Sequence, residues 1–394
     1  MGAIGACRVV AVNPPDLAPA TPHADLIVIG AGIVGLAHAW HAAHRGMSVV
    51  VIERDEQPVG ASIRNFGHIC TTAQGGIALD YALAAREVWL EAGAEAGIPV
   101  RTEGTVVIAR TAIELEVLEE FAAERGDAVR MLDAGETARL AGFEAPGLVA
   151  GAHLPNDLRV DSPTAVPALV RRLRELGVVF RMNENLLELG SGYARTTRGE
   201  YTADSVVLAV GHDVDRHYPE LAEKAGVQRC RLRMLEIDAP GGMSAAPGVF
   251  TGTSLLRYEG FSSTTAAARL RAELSATAPE LLEHTVNLMF TMRPDGRLVI
   301  GDTHHYATTL TPFEDEAVDE LLLTQFRRLF DAPELRVRRR WRGVYASATA
   351  SPFLVASPEP GVAVATVTSG IGMTTAFGLA RAVLDELVST PHAA

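Results

Sequence analysis

The chain has 394 residues, 48% hydrophobic and 21% charged, a balance that suits a globular protein with two joined domains. Its formal net charge of −13, with no dense Lys/Arg tract, argues against duplex nucleic acid or an anionic membrane as partner. Three cysteines (Cys7, Cys70 and Cys230) make no CxxC pair, which points to a reduced, cytoplasmic protein with no structural zinc and no metal site.

Residues 1–24 lack the basic start and long apolar core of a signal peptide and are expected to form a flexible leader. From Asp25 to Asp55, "DLIVIGAGIVGLAHAWHAAHRGMSVVVIERD" is predicted to form a strand, a tight turn, a helix and a second strand. Gly30, Gly32 and Gly35 stand at G-x-G-x-x-G spacing. The first permits the turn, the second lets backbone approach a pyrophosphate, and the third lets helix and strand pack closely. The helix start at Ile33 offers free N–H groups to phosphate. Glu53 ends the second strand, where it can accept from both ribose hydroxyls, and Arg54 stands beside it. That acid speaks against a 2′-phosphate, so the ligand is FAD or NAD.

The next segment, "GASIRNFGHI" (Gly60–Ile69), mixes small and polar residues. A helix over "ALDYALAAREVWLEAGAEAG" and a strand in "VRTEGTVVIAR" follow it. A second helix–strand pair, "LVRRLRELGVVFRMNENLLEL", precedes the buried strand "DSVVLAVGHD", which ends at Gly211. Near the C-terminus "GVAVATVTSGIGMTTAFGLARAVLDELV" gives a strand, a glycine turn through Gly370, Gly372 and Met373, and a long helix to Val388. The nucleotide fold is thus α/β (α+β overall) and split into three blocks. The dinucleotide-binding domain is expected at 25–85, 148–215 and 335–390, and an inserted antiparallel-sheet substrate domain at 86–147 and 216–334.

This order resembles the FAD-dependent amine-oxidising superfamily that includes D-amino acid oxidase, glycine oxidase and monomeric sarcosine oxidase. The likeness covers nearly all of residues 25–390. Its most specific parts are the fingerprint, "GAS" followed by Asn-x-Gly, and the closing "SGIGM" turn. The resemblance implies a Rossmann-like domain holding FAD. Gly60, Ala61, Ser62, Arg64, Asn65 and Gly67 would lie along the pyrophosphate and isoalloxazine edge, with Arg64 neutralising diphosphate charge. It leaves His68 as either a flavin contact or a packed histidine. It places the backbone of Leu186 against adenine, and the helix opened by Gly370, Gly372, Met373 and Thr374 near flavin N1. Relatives that attach FAD covalently use a Cys in the stretch matching "WRGVYASA" or a His where this chain has Arg64. Neither is present, so noncovalent FAD is expected.

The same resemblance implies oxidation of a small amine by hydride transfer to flavin N5, hydrolysis of the resulting imine, and reoxidation by molecular oxygen. "GASIRNFG", "ALAAREVWLEAGAEAGI" and "EGTVVIAR" look like a bacterial subgroup associated with breakdown of 2-aminoethylphosphonate. Where glycine oxidase-like enzymes carry a substrate-binding Arg, this chain has Tyr345. Candidates for holding an anionic substrate are therefore Arg342, His304 and His305, with Arg231, Arg233 and Arg257 in the insert, and Tyr258 and Tyr345 as pocket walls. The alternatives are a D-amino acid or glycine-type oxidase that uses another Arg, and a noncatalytic flavoprotein.

Overall fold

The computed structural model describes residues 23–389. Cys7 and nearly all of the expected leader lie outside the described residues. Ala24–Ile29 and Val49–Ile52 are short strands of β-branched and apolar residues, and nearly every side chain in them is buried. Such runs suit a parallel sheet covered on both faces. Parallel pairing joins Val179–Arg181, Val49–Ile52, Ala24–Ile29, Glu200–Leu208 and Val362–Val367 in that order. Phe353–Glu359 adds an antiparallel edge, and the hairpin Leu186–Gly190/Tyr193–Thr196 extends from Glu200–Leu208.

On one face, the helices Ile33–His44, Gly76–Ala96 and Gly372–Ser389 share a core with Trp40, Trp89 and Phe377. The Trp89 Nε1–H donates to the Met373 carbonyl at 2.7 Å, tying the second helix to the first turn of the last. Trp89→Phe removes that donor and leaves a small void. It is expected to cost about 2 kcal/mol in urea unfolding, and an unchanged midpoint would show the bond to be dispensable.

A second eight-stranded sheet runs Val337–Ser347, Gln228–Ile237, Leu298–Ala307, Met289–Met292, Gly248–Phe250, Thr105–Ala109, Ala150–Leu154 and Arg130–Asp133. It is antiparallel except where Gly248–Phe250 meets Thr105–Ala109. The sequence division put 150–154 and 337–347 with the nucleotide part. Their hydrogen-bond partners, Thr105–Ala109 and Gln228–Ile237, draw both strands into the second sheet. The helix Glu316–Phe330 covers this sheet through Phe326 and Phe330, which pack on Phe290. Among the described residues no helix is long and apolar enough to cross a membrane.

Candidate active site

A cavity of about 580 Å³ runs between the two sheets, from Glu53 and Leu186 to Met289 and Tyr345. The fingerprint shapes its first wall. Gly30 has φ +100°, and a Cβ there would lie 2.6 Å from the Ala209 carbonyl oxygen. A Cβ on Gly35 would stand 1.9 Å from the Gly30 carbonyl oxygen, so Gly35 governs helix packing without lining the cavity. The Glu53 carboxylate accepts from Ala31 N–H at 2.8 Å and from Asp55 N–H at 3.1 Å. A carboxylate has about four acceptor positions, so two remain for a ribose.

The Gly60–Ile69 segment folds on itself before it meets any ligand. Ser62 Oγ accepts from Ile33 N–H at 2.8 Å, capping one of the helix amides that sequence reasoning left for phosphate. Asn65 donates to the Ala61 and Ser62 carbonyls and accepts from Gly67 N–H. Gly67 has φ +67° and presses on the Val160 carbonyl, where a Cβ would come within 1.8 Å. Asn65 lines the cavity as a loop-former, whereas Gly67 stands outside it. Gly32, Ile33, Gly60, Ala61, Ser62 and Arg64 all line it. Arg64 has one long bond, 3.4 Å to the Arg342 carbonyl, and no carboxylate within 4.0 Å among the described residues.

Leu186, Gly211 and Arg54 line the same end of the cavity. Arg54 Nη1 lies 2.6 Å from Asp213 Oδ2, while Arg216 and Arg229 hold the other oxygen. Burial works against the Asp213 charge, but His212 and these guanidinium groups outweigh it and hold the carboxyl at about 2. Gly370, Gly372, Met373 and Thr374 form the turn and first helical residues at the other end. Thr374 Oγ1 accepts from Cys70 N–H at 3.1 Å.

His68 lines the cavity and is also packed, edge-on to Phe250. Its Nε2 is 2.6 Å from Thr105 Oγ1, and Thr105 Oγ1 is 2.7 Å from Asp157 Oδ2. Thr105 has one proton, which goes to the carboxylate, so His68 Nε2 is the donor. Nothing in the sequence marked Thr105 or Asp157, because both are far from His68 along the chain and meet it only across the sheet. Cys70, two residues past His68, also lines the cavity, and burial pushes its thiol well up.

The basic candidates separate. Arg342 is exposed on the outer side of its strand, facing a second, open basin with Arg229 and Arg231. His304 is buried away from the cavity, its Nδ1 2.8 Å from the Thr285 carbonyl, and burial drops it to about 3. His305 is exposed, because alternation along the strand turns it outward. Arg231 and Arg233 are engaged by Glu314 and Asp319.

Arg257 is different. Its Nη2 is 3.2 Å from Tyr345 Oη and 2.9 Å from the Ser369 carbonyl, directly behind Gly370. It has no carboxylate within 4.0 Å among the described residues. Tyr345, Tyr258 and Met289 complete this end of the cavity. Burial pushes both phenols well above their ordinary range, so they remain neutral donors.

The chain is 28% identical to glycine oxidase of Bacillus licheniformis over 200 residues, 48% of this chain and 54% of that protein. It is 26% identical to monomeric sarcosine oxidase of Bacillus sp. (strain NS-129) over 207 residues, 48% of this chain and 52% of that protein. It therefore spans only a little over half the length of these relatives. The fold matches glycine oxidase from Geobacillus kaustophilus with a TM-score of 0.76 at 20% identity, over 95% of this chain and 96% of that one. Iminodiacetate oxidase from Chelativorans sp. BNC1 matches with a TM-score of 0.73 at 18% identity, over 93% and 96%. The profile of the family described as "DAO: FAD dependent oxidoreductase" matches residues 25–386. A dinucleotide turn with an acid in reach and three chain segments meeting at one cavity is what such a match demands, and the chain belongs to this family of FAD-dependent oxidoreductases.

Proposed function

We propose that the protein oxidises a small primary or secondary amine bearing an anionic group, with FAD held noncovalently in the cavity and oxygen as final acceptor. Glu53, the amides left free beside Ile33 at the helix start, Arg54 and Arg64 would hold the adenosine and diphosphate. Bound FAD supplies the hydride acceptor. The chain's own part is to orient the amine, exclude water and balance charge. The observation that carries the reading is Arg257, a guanidinium without a carboxylate partner, set behind Tyr345 at the cavity end where the Gly370 turn lies. Arg257 stands behind the lining residues, so a carboxylate or phosphonate oxygen at this wall would gain neutral hydrogen bonds from Tyr345 and Tyr258 and the attraction of the guanidinium behind them. The cavity thiol supports noncovalent binding: Cys70 stays protonated and is a poor nucleophile.

Anaerobic mixing with an amine panel tests the proposal. 2-Aminoethylphosphonate, its N-methyl derivative, sarcosine, glycine and D-alanine are to be compared by bleaching of the flavin. Rapid bleaching by one anionic amine, with hydrogen peroxide formed in air, supports the reading; a yellow protein that no amine reduces defeats it. Arg257→Gln should raise the half-saturation level for the anionic amine about 100-fold and leave a neutral amine within about twofold. Arg342→Ala should change neither by more than about twofold, since its side chain is solvated and outside the cavity. Equal losses for anionic and neutral amines in Arg257→Gln would remove Arg257 from this role.

A further inference from the structure

Behind Arg257 stands a second charged group that neither the fingerprint nor the proposed chemistry uses. Asp302 is buried on the strand next to Met289, with 4% of its surface exposed. Its Oδ1 accepts from Asn287 Nδ2 at 3.1 Å, while its Oδ2 has, among the described residues, only His304 Nε2, at 3.7 Å. Asn287 Oδ1 in turn accepts from Ser254 Oγ at 2.8 Å, and the Ser254 carbonyl accepts from Arg257 N–H at 3.1 Å. One hydrogen-bonded chain therefore leads from the Asp302 carboxyl to the backbone of Arg257. No guanidinium or ammonium group lies within 4.0 Å of Asp302 among the described residues. A buried carboxyl held by one amide is undercompensated, and Arg257, half-buried on a phenol and a carbonyl, has no carboxylate paired directly with it among the described residues.

We infer that Asp302 is the counter-charge of Arg257 and competes, through space, with the anionic end of the substrate for that guanidinium. The inference rests on the reading of Arg257 as the anion-holding group. It makes Asp302 a positioning residue, acting through Arg257 and not on the amine.

The groups that face this pair from the surrounding elements are Tyr258, Cys230, Tyr306, Tyr345 and His304. Burial lifts the Cys230 thiol and the Tyr306 phenol to about 12 and the Tyr258 and Tyr345 phenols well above their ordinary range, so all four stay neutral. Burial holds His304 neutral down to about 3. Arg257 keeps its charge: burial opposes it, and the attraction of its surroundings, Asp302 among them, outweighs burial. Asp302 is therefore the one member of the cluster whose charge changes near neutrality. Burial lifts its carboxyl to about 7, against the pull of Arg257 and of the Asn287 bond. Below that pH the carboxyl is neutral and Arg257 attracts an anion at full strength. Above it, the carboxylate cancels part of that field. Linkage requires the reverse effect as well: a bound anion raises the Asp302 carboxyl further, so binding near neutrality takes up a proton.

The test uses the FAD-loaded enzyme and propionate, a carboxylate without an amine, titrated against the visible spectrum of the bound flavin. For the wild type, the Kd for propionate should rise about tenfold between about pH 6 and about pH 8.5. Asp302→Asn keeps the size of the side chain and the acceptor for Asn287. It should hold the low-pH affinity across the whole range, a gain that a merely structural residue would not give. A wild-type Kd that stays flat overturns the inference, and this arm decides even where the variant fails to fold. A pH dependence that persists unchanged in Asp302→Asn overturns it too. Arg257→Gln separates the two levels. If it binds propionate as the wild type does, the anion-holding role of Arg257 fails and the inference falls with it. If it loses propionate while the wild-type Kd is flat, only the role of Asp302 falls.

Discussion

Gly35→Ala is expected to yield a protein with little visible flavin colour and a folded state weakened by about 3 kcal/mol. The added methyl would sit 1.9 Å from the Gly30 carbonyl oxygen and 3.2 Å from Val28 Cγ1. Neither neighbour can yield cheaply. Gly30 is fixed by its own left-handed conformation and by Ala209 across the sheet, and Val28 is wholly buried. The fingerprint helix must therefore lift away from the strand, carrying Gly32 and Ile33 out of register with the phosphate-facing wall. Flavin content after refolding with added FAD, together with a urea midpoint, measures both effects. A fully yellow Gly35→Ala protein of normal stability would mean that the helix does not need this close approach.

Glu53→Ala should weaken FAD binding about 100-fold, or about 2.7 kcal/mol, with a smaller loss of stability in the FAD-free protein. Two effects combine. The ribose loses its carboxylate acceptor, and the Ala31 and Asp55 amides lose theirs, at about 1–3 kcal/mol for a buried unpaired donor. Glu53→Gln separates them, since its carbonyl oxygen can still serve Ala31 N–H while the charge is gone. Fluorescence titration of the FAD-free protein reads both variants. Wild-type affinity in Glu53→Ala would place the adenosine elsewhere.

The nucleotide half of the fold was legible because its signals are local. Gly30, Gly32, Gly35 and Glu53 sit within one strand–helix–strand unit, and the closing glycine turn marks its own helix start. The loop Gly60–Gly67 was half legible: its residues do border the cavity, but Ser62 and Asn65 spend their polar groups on the loop and on the Ile33 amide. The Tyr345 end of the cavity was not. Arg342 stands out in a run of arginines, yet strand alternation and its register with Arg233 turn it to solvent. Arg257 carries no motif and was one basic residue among several. It is singled out by Tyr345 and Ser369, 88 and 112 residues further on. His304 looked polar and available, but burial with the Thr285 carbonyl makes it part of the packing.

The strand Val337–Ser347 bears on how a small molecule could reach the cavity. Ser347 bridges to Ser369, the residue before the Gly370 turn, and Ala348 N–H bonds to the Thr368 carbonyl. Arg257 grips the same Ser369 from the other side. The two sheets that flank the cavity are thus tied together close to Tyr345. A clam-shell opening of the two halves would have to break those ties, so turnover of the proposed substrate is expected to be insensitive to agents that damp large hinge motions.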